Sequence, residues 1–343
     1  MVSKAYKVGA VQAAPEFLNL EKGVEKAISL IDEAGRNGVK LLAFPEAWLP
    51  GYPWWIWLGS PAWGMQFVGR YHENSIEADS PEDRAISEAV KRNGLHLVLG
   101  VSERAGGSLY LAQWIYAPDG SVIARRRKLK PTHVERTVYG EGDGSDIKVF
   151  ETDIGKLGAL CCWEHLQPLV KYAMFSQHEQ VHVASWPSFS LYRGAAYALG
   201  PELNTAASQM YAAEGQCFVV ASCATVSDEM IEMLCDSDDK RQLLLSGGGF
   251  AGIFGPDGAP VAEPMKENEE GVLMAGIDLG MIAYAKSAAD PVGHYSRPDV
   301  FRLMFNDRPN AVVATPAVGQ DQPDFEGEEE SGAGGKPALK VLS

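Results

Sequence analysis

Two adjacent cysteines, Cys161 and Cys162, end the apolar run GALCC and are followed directly by Trp163, Glu164 and His165. A cysteine that attacks a weak electrophile needs a base to take its proton, a positive group to hold the developing negative charge, and a fixed geometry. Two residues elsewhere stand in the same local position, at the C-terminal end of an apolar strand-like run: Glu46 after LLAF and Lys128 after SVIARRR. Strand ends beside connecting loops are where sheet proteins build sites. Glu, Lys and Cys would then supply base, cation and nucleophile. Each has a plainer reading when taken alone. A glutamate after a strand is ordinarily a solvated or capping carboxylate. Lys128 lies in the run Arg125, Arg126, Arg127, Lys128, Lys130, and such runs are commonly exposed strand faces. A buried cysteine is more often a small hydrophobe than a nucleophile. The combination of the three is what points to chemistry.

The neighbours sharpen these roles. Phe44, Trp48, Tyr52, Trp54, Trp55 and Trp57 flank Glu46 in the chain, and an apolar setting raises a carboxyl pKa toward the range that a base needs. Lys128 holds an anion only while it is charged, which a nearby carboxylate favours; Glu135 in KLKPTHVE is the local candidate. Lys130 would share a strand face with Lys128 in an extended segment, so local geometry does not separate the two lysines. Along an extended GALCC the two cysteines point to opposite faces, so one of them is expected in the core. A metal held by Cys161, Cys162 and His165 would need the spacing C-C-x-x-H, which is not a zinc pattern, and no metal site is expected. A disulfide between neighbours demands an unusual peptide geometry and an oxidising setting. His133 and His165 are expected to be satisfied structural histidines, and Glu164 to anchor the turn after Cys162. The tryptophans and tyrosines after Glu46, Tyr52 and Trp54 among them, and SWPSFSLYRG at 185–194 are candidates to shape a substrate pocket, with Trp163 and Trp186 foremost because each follows a strand end, although core packing is the common fate of aromatic side chains.

Regular elements must carry these residues. YKVGAVQAAP reads as a strand, and Val24, Ala27, Ile28, Ile31 and Ala34 recur at helical spacing within 21–38, with Gly38 as the stop. VKLLAFPE is a second strand, a helix over 80–93 leads through Gly94 to the strand LHLVLGVSE, and SLYLAQWIYAPDGSVIARRRK is a hairpin around Pro118-Asp119-Gly120. Further strands are expected in KLGALCCW, VHVASW, CFVVASC and GFAGIFGPDGAPVAE, the last as a second hairpin, with helices over 167–177 and 201–214. The mixture fits a layered α/β fold with helices covering sheet.

Composition limits the partners. Hydrophobic residues form 46% of the 343-residue chain, enough for a substantial core. A net charge of -15 disfavours nucleic acid and acidic membrane, both of which need a basic face, and leaves a neutral small molecule compatible. No apolar run reaches about 18 residues, the length that marks a membrane span. The first residues pass into a strand without the basic and apolar regions of a signal peptide. The five cysteines (161, 162, 217, 223 and 235) include no C-x-x-C pair. Reduced thiols and a cytoplasmic location are therefore expected. From about residue 309 to 343, acidic residues, glycine and proline replace the alternating pattern, so 1–308 is expected to form the domain and 309–343 an extended or disordered tail.

At this point three blocks, FPEAWLPGYPWW, RRKLKPTHVERTVYGEGDG and GALCCWEHLQPL, resemble the signature blocks of the nitrilases, a branch of the carbon-nitrogen hydrolase superfamily. The resemblance runs from about Lys7 to Leu303. It implies Glu46 as general base, Lys128 as the oxyanion-stabilising lysine, Cys162 as nucleophile, and Glu135 as a second glutamate supporting Lys128 and the attacking water, with the Trp163 N–H completing the oxyanion hole. It implies a four-layer αββα sandwich, a homodimer extending to larger oligomers or spirals, and hydrolysis of an organic nitrile to acid and ammonia through thioimidate and thioester intermediates. No metal or organic cofactor is implied. Cys-Trp-Glu after the apolar run resembles the nitrile-hydrolysing branch more than the amidases. Competing expectations are an amidase, a cyanide-hydrolysing relative, and a non-catalytic assembly or binding protein on the same fold.

Overall fold

Runs of apolar residues with a period of two build eleven strands among the described residues. These are β1 (Ala5–Gln12), β2 (Val39–Ala43), β3 (His96–Ala105), β4 (Ser108–Tyr116), β5 (Val122–Arg127) and β6 (Phe150–Thr152), then β7 (Gly155–Cys161), β8 (Val181–Trp186), β9 (Phe218–Cys223), β10 (Gly252–Phe254) and β11 (Gly271–Asp278). The computed structural model describes residues 4–311 and residue 313, so most of the expected tail 309–343 lies outside the described residues. All these elements fall within one unit, Met1–Pro309. The first sheet has the order β11-β1-β2-β3-β4-β5 and the second β10-β9-β8-β7-β6. In each sheet three parallel strands (β1, β2, β3 and β7, β8, β9) are flanked by antiparallel ones.

The strands are buried on both faces, and successive residues serve different cores. Leu41, Ala43 and Val98 join the core between the sheets, whereas Leu42, Phe44, Leu97 and Leu99 pack with the helices outside the first sheet. That outer layer is α1 (Leu20–Arg36), whose stripe Val24, Ala27, Ile31 and Ala34 matches its expected face. The short α2 (Trp55–Leu58) and α3 (Pro61–Asn74) form an aromatic cluster at one edge with Tyr52, Trp54 and Phe67. Beside α1 packs α4 (Pro81–Asn93), started by a Ser80 side-chain cap and ended by Gly94 in the left-handed region. The second sheet is covered by α5 (Pro168–Phe175) and α6 (Pro201–Gly215). Layers of helix, sheet, sheet and helix result, the expected αββα sandwich. No helix of the described residues is long and apolar enough to cross a membrane.

One expectation differs in detail: the second hairpin shrinks to β10 and a single bridge between Phe254 and Pro260, flanked by hydrogen bonds from the Gly255 N–H to the Ala259 carbonyl (2.8 Å) and from the Val261 N–H to the Ile253 carbonyl (2.9 Å). Among the elements not anticipated are α3, whose signal is the Ser60-Pro61 start, and β11, whose Leu273, Ala275 and Ile277 alternate inward and pair with β1.

The two sheets are stitched by polar groups where the candidate residues lie. Ser185 Oγ at the end of β8 donates to the Phe44 carbonyl (2.8 Å), while Gln113 Nε2 of β4 donates to Ser185 Oγ (2.8 Å) and to the Leu160 carbonyl (3.2 Å). The backbone N–H of Glu46 donates to the Trp186 carbonyl (3.3 Å). Gly100 of β3 lets this strand end approach, since a Cβ there would lie 1.9 Å from the Pro45 carbonyl oxygen and 3.0 Å from Glu46 Cα. Gly100→Ala is therefore expected to lower the unfolding free energy by about 1–3 kcal/mol, the usual cost of overpacking, as read by urea unfolding. A wild-type midpoint would show that the contact can relax.

Candidate active site

The basic run after β4 is not an exposed face. Side chains alternate along β5, so Arg126 and Lys128 turn inward while Arg125 and Arg127 turn to the other side. Arg125 pairs with Asp79 and Asp83, and Arg127 pairs with Glu103. Lys128, 1% exposed, is held between two buried carboxylates, with Nζ donating to Glu46 Oε1 and to Glu135 Oε2 at 2.8 Å each. Lys130 is instead largely exposed and pairs with Glu141, which separates the two lysines.

Each carboxylate is placed by its own local structure. Glu46 follows β2 and precedes Ala47, whose φ of 46° turns the chain. Glu135 lies in the 3₁₀ turn His133–Thr137, where the Thr132 N–H donates to Oε2 (2.6 Å) and the Tyr52 hydroxyl to Oε1 (2.8 Å). Burial would lower the Lys128 pKa, but Glu135 and Glu46 together raise it well above its ordinary value, so the ammonium persists. Burial pushes Glu46 up to about 8 against the opposing pull of Lys128, and its Oε2 has no hydrogen-bond partner among the described residues. It is a carboxyl poised to exchange a proton near neutral pH.

Cys162 stands where β7 ends. The strand stops at Cys161, and Cys162 takes a φ of 47° to open the 3₁₀ turn Cys162–Leu166. The left-handed conformation is uncommon for a residue with a Cβ and must be imposed by its surroundings. One constraint is Glu164, which accepts from the N–H groups of Cys161 (2.7 Å) and Leu129 (2.8 Å) and from Arg126 through both oxygens (2.8 and 2.9 Å). Burial acts to raise Glu164, but Arg126 and these donors hold its carboxyl below the ordinary range. Glu164 thus fastens the turn, and the turn, rather than strand alternation, separates the two cysteines: Cys161 is fully buried while Cys162 reaches a cavity. Burial, and then the nearby Glu46, push the Cys162 thiol well above its ordinary pKa, while Lys128 and the Trp163 N–H oppose that rise. At rest it is a thiol, not a thiolate.

The cavity has a volume of about 240 Å³ and is lined by Cys162 and Glu135 on its polar side. Tyr52, Trp54, Trp163 and Trp186 all line it. Trp163 Nε1 donates to Asn204 Oδ1 (3.1 Å) and Trp186 Nε1 to Ser208 Oγ (2.9 Å), so α6 fixes both indoles. Trp57 of the aromatic run after Glu46 and Phe189 and Leu191 of SWPSFSLYRG line the cavity too; Leu199 was not among the candidates, and His133 was expected to be structural. His133 lines the cavity stacked on Trp57, 5.3 Å between ring centres. Leu199 comes from the short 3₁₀ turn Tyr197–Leu199, which has no period to follow. Among the described residues no group of three or more His, Cys, Asp or Glu is arranged to hold a metal.

The sequence profile of the carbon-nitrogen hydrolase family matches residues 7–287. The chain is 62% identical to a nitrilase of Pseudomonas syringae pv. syringae (strain B728a), over 90% of this chain and 91% of that protein. It is 54% identical to an aliphatic nitrilase of Rhodococcus rhodochrous, over 91% of this chain and 86% of the other. Among solved structures, a carbon-nitrogen hydrolase from Helicobacter pylori G27 superposes with a TM-score of 0.68 at 16% identity, over 86% of this chain and 96% of that one, a likeness of fold.

Removing the cation from between two buried carboxylates isolates the role of Lys128. Lys128→Met is expected to cost about 3–5 kcal/mol of stability near neutral pH, the usual effect of breaking a buried pair. Lys128 opposes the rise of Glu46, so its loss moves the folded pKa of Glu46 above the wild-type value of about 8; both proteins lose the carboxyl's stabilising effect alike from the unfolded value of about 4.3 up to about 8, and the variant goes on losing it beyond. The deficit should therefore be larger at pH 9 than at pH 7 in urea unfolding. An equal deficit at both would mean that the lysine compensates no charge there.

Proposed function

The chain belongs to the nitrilases of the carbon-nitrogen hydrolase superfamily, and from that premise we propose how its own residues hydrolyse a nitrile to the carboxylic acid and ammonia. The observation that carries the assignment is the buried Glu46–Lys128–Glu135 triad beside a cysteine at the mouth of an apolar cavity. Cys162 is the nucleophile. Glu46, through its unpartnered Oε2, takes the Sγ proton as sulfur attacks the nitrile carbon and returns it to nitrogen, which leaves a thioimidate. Because burial keeps the thiol protonated, proton removal accompanies attack.

Water, activated by Glu46 and placed by Glu135, adds to the thioimidate. Lys128 and the Trp163 N–H hold the charge of the tetrahedral adduct. Loss of ammonia gives a thioester, and a second water releases the acid. Expulsion of sulfur instead of ammonia would give the amide, so amide is the natural minor product. Tyr52, Trp54, Trp163 and Trp186 enclose the substituent, and their aromatic faces suit an uncharged, apolar nitrile that fits a cavity of about 240 Å³. The five buried, unbridged cysteines agree with a cytoplasmic enzyme.

The enzyme is also proposed to assemble from copies of itself. Leu169 of α5 and Met210 of α6 are exposed on the helical face of the second sheet, as is Tyr197 just before α6. Apolar residues grouped there suit a second copy. A dimer or larger species is expected in sedimentation velocity, and a monomer across micromolar concentrations would refute it.

The chemistry is tested by ammonia release from a panel of nitriles, amides and cyanide without added metal. Cys162→Ala is expected to abolish turnover, whereas Cys161→Ala should keep it within about tenfold of wild type, as befits a buried neighbour. The reverse pattern would move the nucleophile to Cys161. Equal rates on amides and nitriles would make the enzyme an amidase.

A further inference from the structure

Four buried side chains that no step above uses form an unbroken chain ending at the nucleophile. The Tyr211 hydroxyl donates to Glu179 Oε2 (2.7 Å), Glu179 Oε1 meets His182 Nδ1 (2.7 Å), His182 Nε2 meets His165 Nε2 (2.9 Å), and His165 Nδ1 meets the carbonyl oxygen of Cys162 (2.6 Å). All four are at most 2% exposed. Gly158 of β7 makes room for the carboxyl, because a Cβ there would lie 1.9 Å from Glu179 Oε1. His182 stacks on Tyr211 (3.9 Å) and His165 on Trp186 (5.1 Å), which fixes both rings.

The protons in this chain follow from its last link. A carbonyl oxygen only accepts, so His165 carries its proton on Nδ1. Burial holds both imidazoles well below the ordinary histidine range, so each is neutral. His165 Nε2 is then a lone pair, and His182 must carry its proton on Nε2. The lone pair left on His182 Nδ1 requires Glu179 to face it as a carboxylic acid. Burial pushes Glu179 up to about 8, which supplies that proton at neutral pH. Four contacts hold four protons and no net charge.

At the far end, the carbonyl of Cys162 and the N–H of Trp163 belong to one planar trans peptide, so fixing one directs the other to the opposite side. That N–H lies against the Cys162 thiol, in a residue held at a φ of 47°. We propose that Glu179, His182 and His165 are positioning residues, a proton-ordered relay that orients the Cys162–Trp163 peptide for attack. The proposal rests on Cys162 being the nucleophile.

When Glu179 loses its proton, one contact of the relay is left without a donor. The buried carboxylate draws the His182 proton to Nδ1, His182 Nε2 then accepts from His165 Nε2, and the contact left without a donor is the last, where His165 Nδ1 offers the Cys162 carbonyl a lone pair. The groups facing Glu179 are His182 from β8, Tyr211 from α6 and the Cys217 thiol, which also senses Lys286 of the helix Met281–Ala288. Uncharged Met174 of α5 and Gly158 of β7 lie beside the carboxyl. The Arg126–Glu164 pair lies beside the imidazoles. Raising the pH through about 8 therefore withdraws the donor from the Cys162 carbonyl.

The test compares kcat and KM of full-length variants on a nitrile that the wild-type enzyme turns over. His165→Leu is expected to lower kcat about 100-fold with KM within about threefold, since the cavity is untouched and only alignment is lost. His165→Asn, which can still donate to the carbonyl, should recover at least about tenfold of that loss. Glu179→Gln offers an N–H to His182 and a carbonyl to Tyr211 and has no proton to lose, so its fall in kcat above pH 8 should move upward by about one unit or vanish. The relay is overturned by a His165→Leu kcat near wild type, by an Asn variant no better than Leu, or by superposable pH profiles of wild type and Glu179→Gln. Should His165→Leu not fold, the isosteric Glu179→Gln profile decides by itself. Cys162→Ala separates the two failures: residual turnover there sinks the nucleophile assignment, whereas a dead Cys162→Ala beside wild-type-like relay variants sinks the relay alone.

Discussion

An ammonium buried between two carboxylates is the constraint on which the rest of the structure depends. Lys128, Glu46 and Glu135 are each at most 2% exposed. Taking such charges out of water costs several kcal/mol per ion, and that cost is recovered only when the partners are held at hydrogen-bond distance with their remaining atoms satisfied. The three residues arrive from β2, the end of β5 and a 3₁₀ turn, so both strand ends and the turn must be fixed to within tenths of an ångström. The polar stitches at Ser185 and Gln113, the close approach at Gly100 and the Thr132 and Tyr52 contacts to Glu135 all serve that requirement. The one carboxyl oxygen left without a protein partner, Glu46 Oε2, is the atom in the triad that is free for chemistry.

A second buried pair does for the backbone what the triad does for the side chains. Arg126 and Glu164 lock the turn after β7 through two parallel hydrogen bonds, and Glu164 still reaches the N–H groups of Cys161 and Leu129. Arg126 lies two residues before Lys128 on β5, so one strand face delivers a cation to each network. The left-handed residue at Cys162 is therefore held by the same strand whose end carries Lys128 between its two carboxylates. Geometry and electrostatics are coupled through a single edge strand.

Much of this was legible in residue order, for physical reasons. The central strands are buried on both faces and read as apolar runs, and the boundaries of α1 and α4 carry Gly38, Ser80 and Gly94 as stops and caps. The catalytic candidates were legible because each follows such a run, but their meeting was not: Glu46 and Lys128 are 82 residues apart in the chain, and no local pattern reports a contact of that span. The basic run read as an exposed face because most of its countercharges, among them Asp83, Glu103, Glu164 and Glu46, come from distant segments. The inequality of Cys161 and Cys162 was foreseen for an incomplete reason, since alternation ends at Cys161 and a left-handed turn takes over. The chain Tyr211–Glu179–His182–His165 was invisible in sequence, being assembled from three segments with no shared motif.

The aromatic walls of the cavity have a consequence for the other half of the catalytic cycle. A nitrile enters uncharged and loses little by leaving water for tryptophan and tyrosine faces. The acid that forms is an anion at neutral pH, and the nearby ammonium is already shared by two glutamates. In the proposed site the product would be a charge in an apolar chamber whose neighbouring ammonium is already paired, and desolvation together with like-charge repulsion would drive it out. Turnover in such a site is made directional by the change in charge that the reaction itself creates.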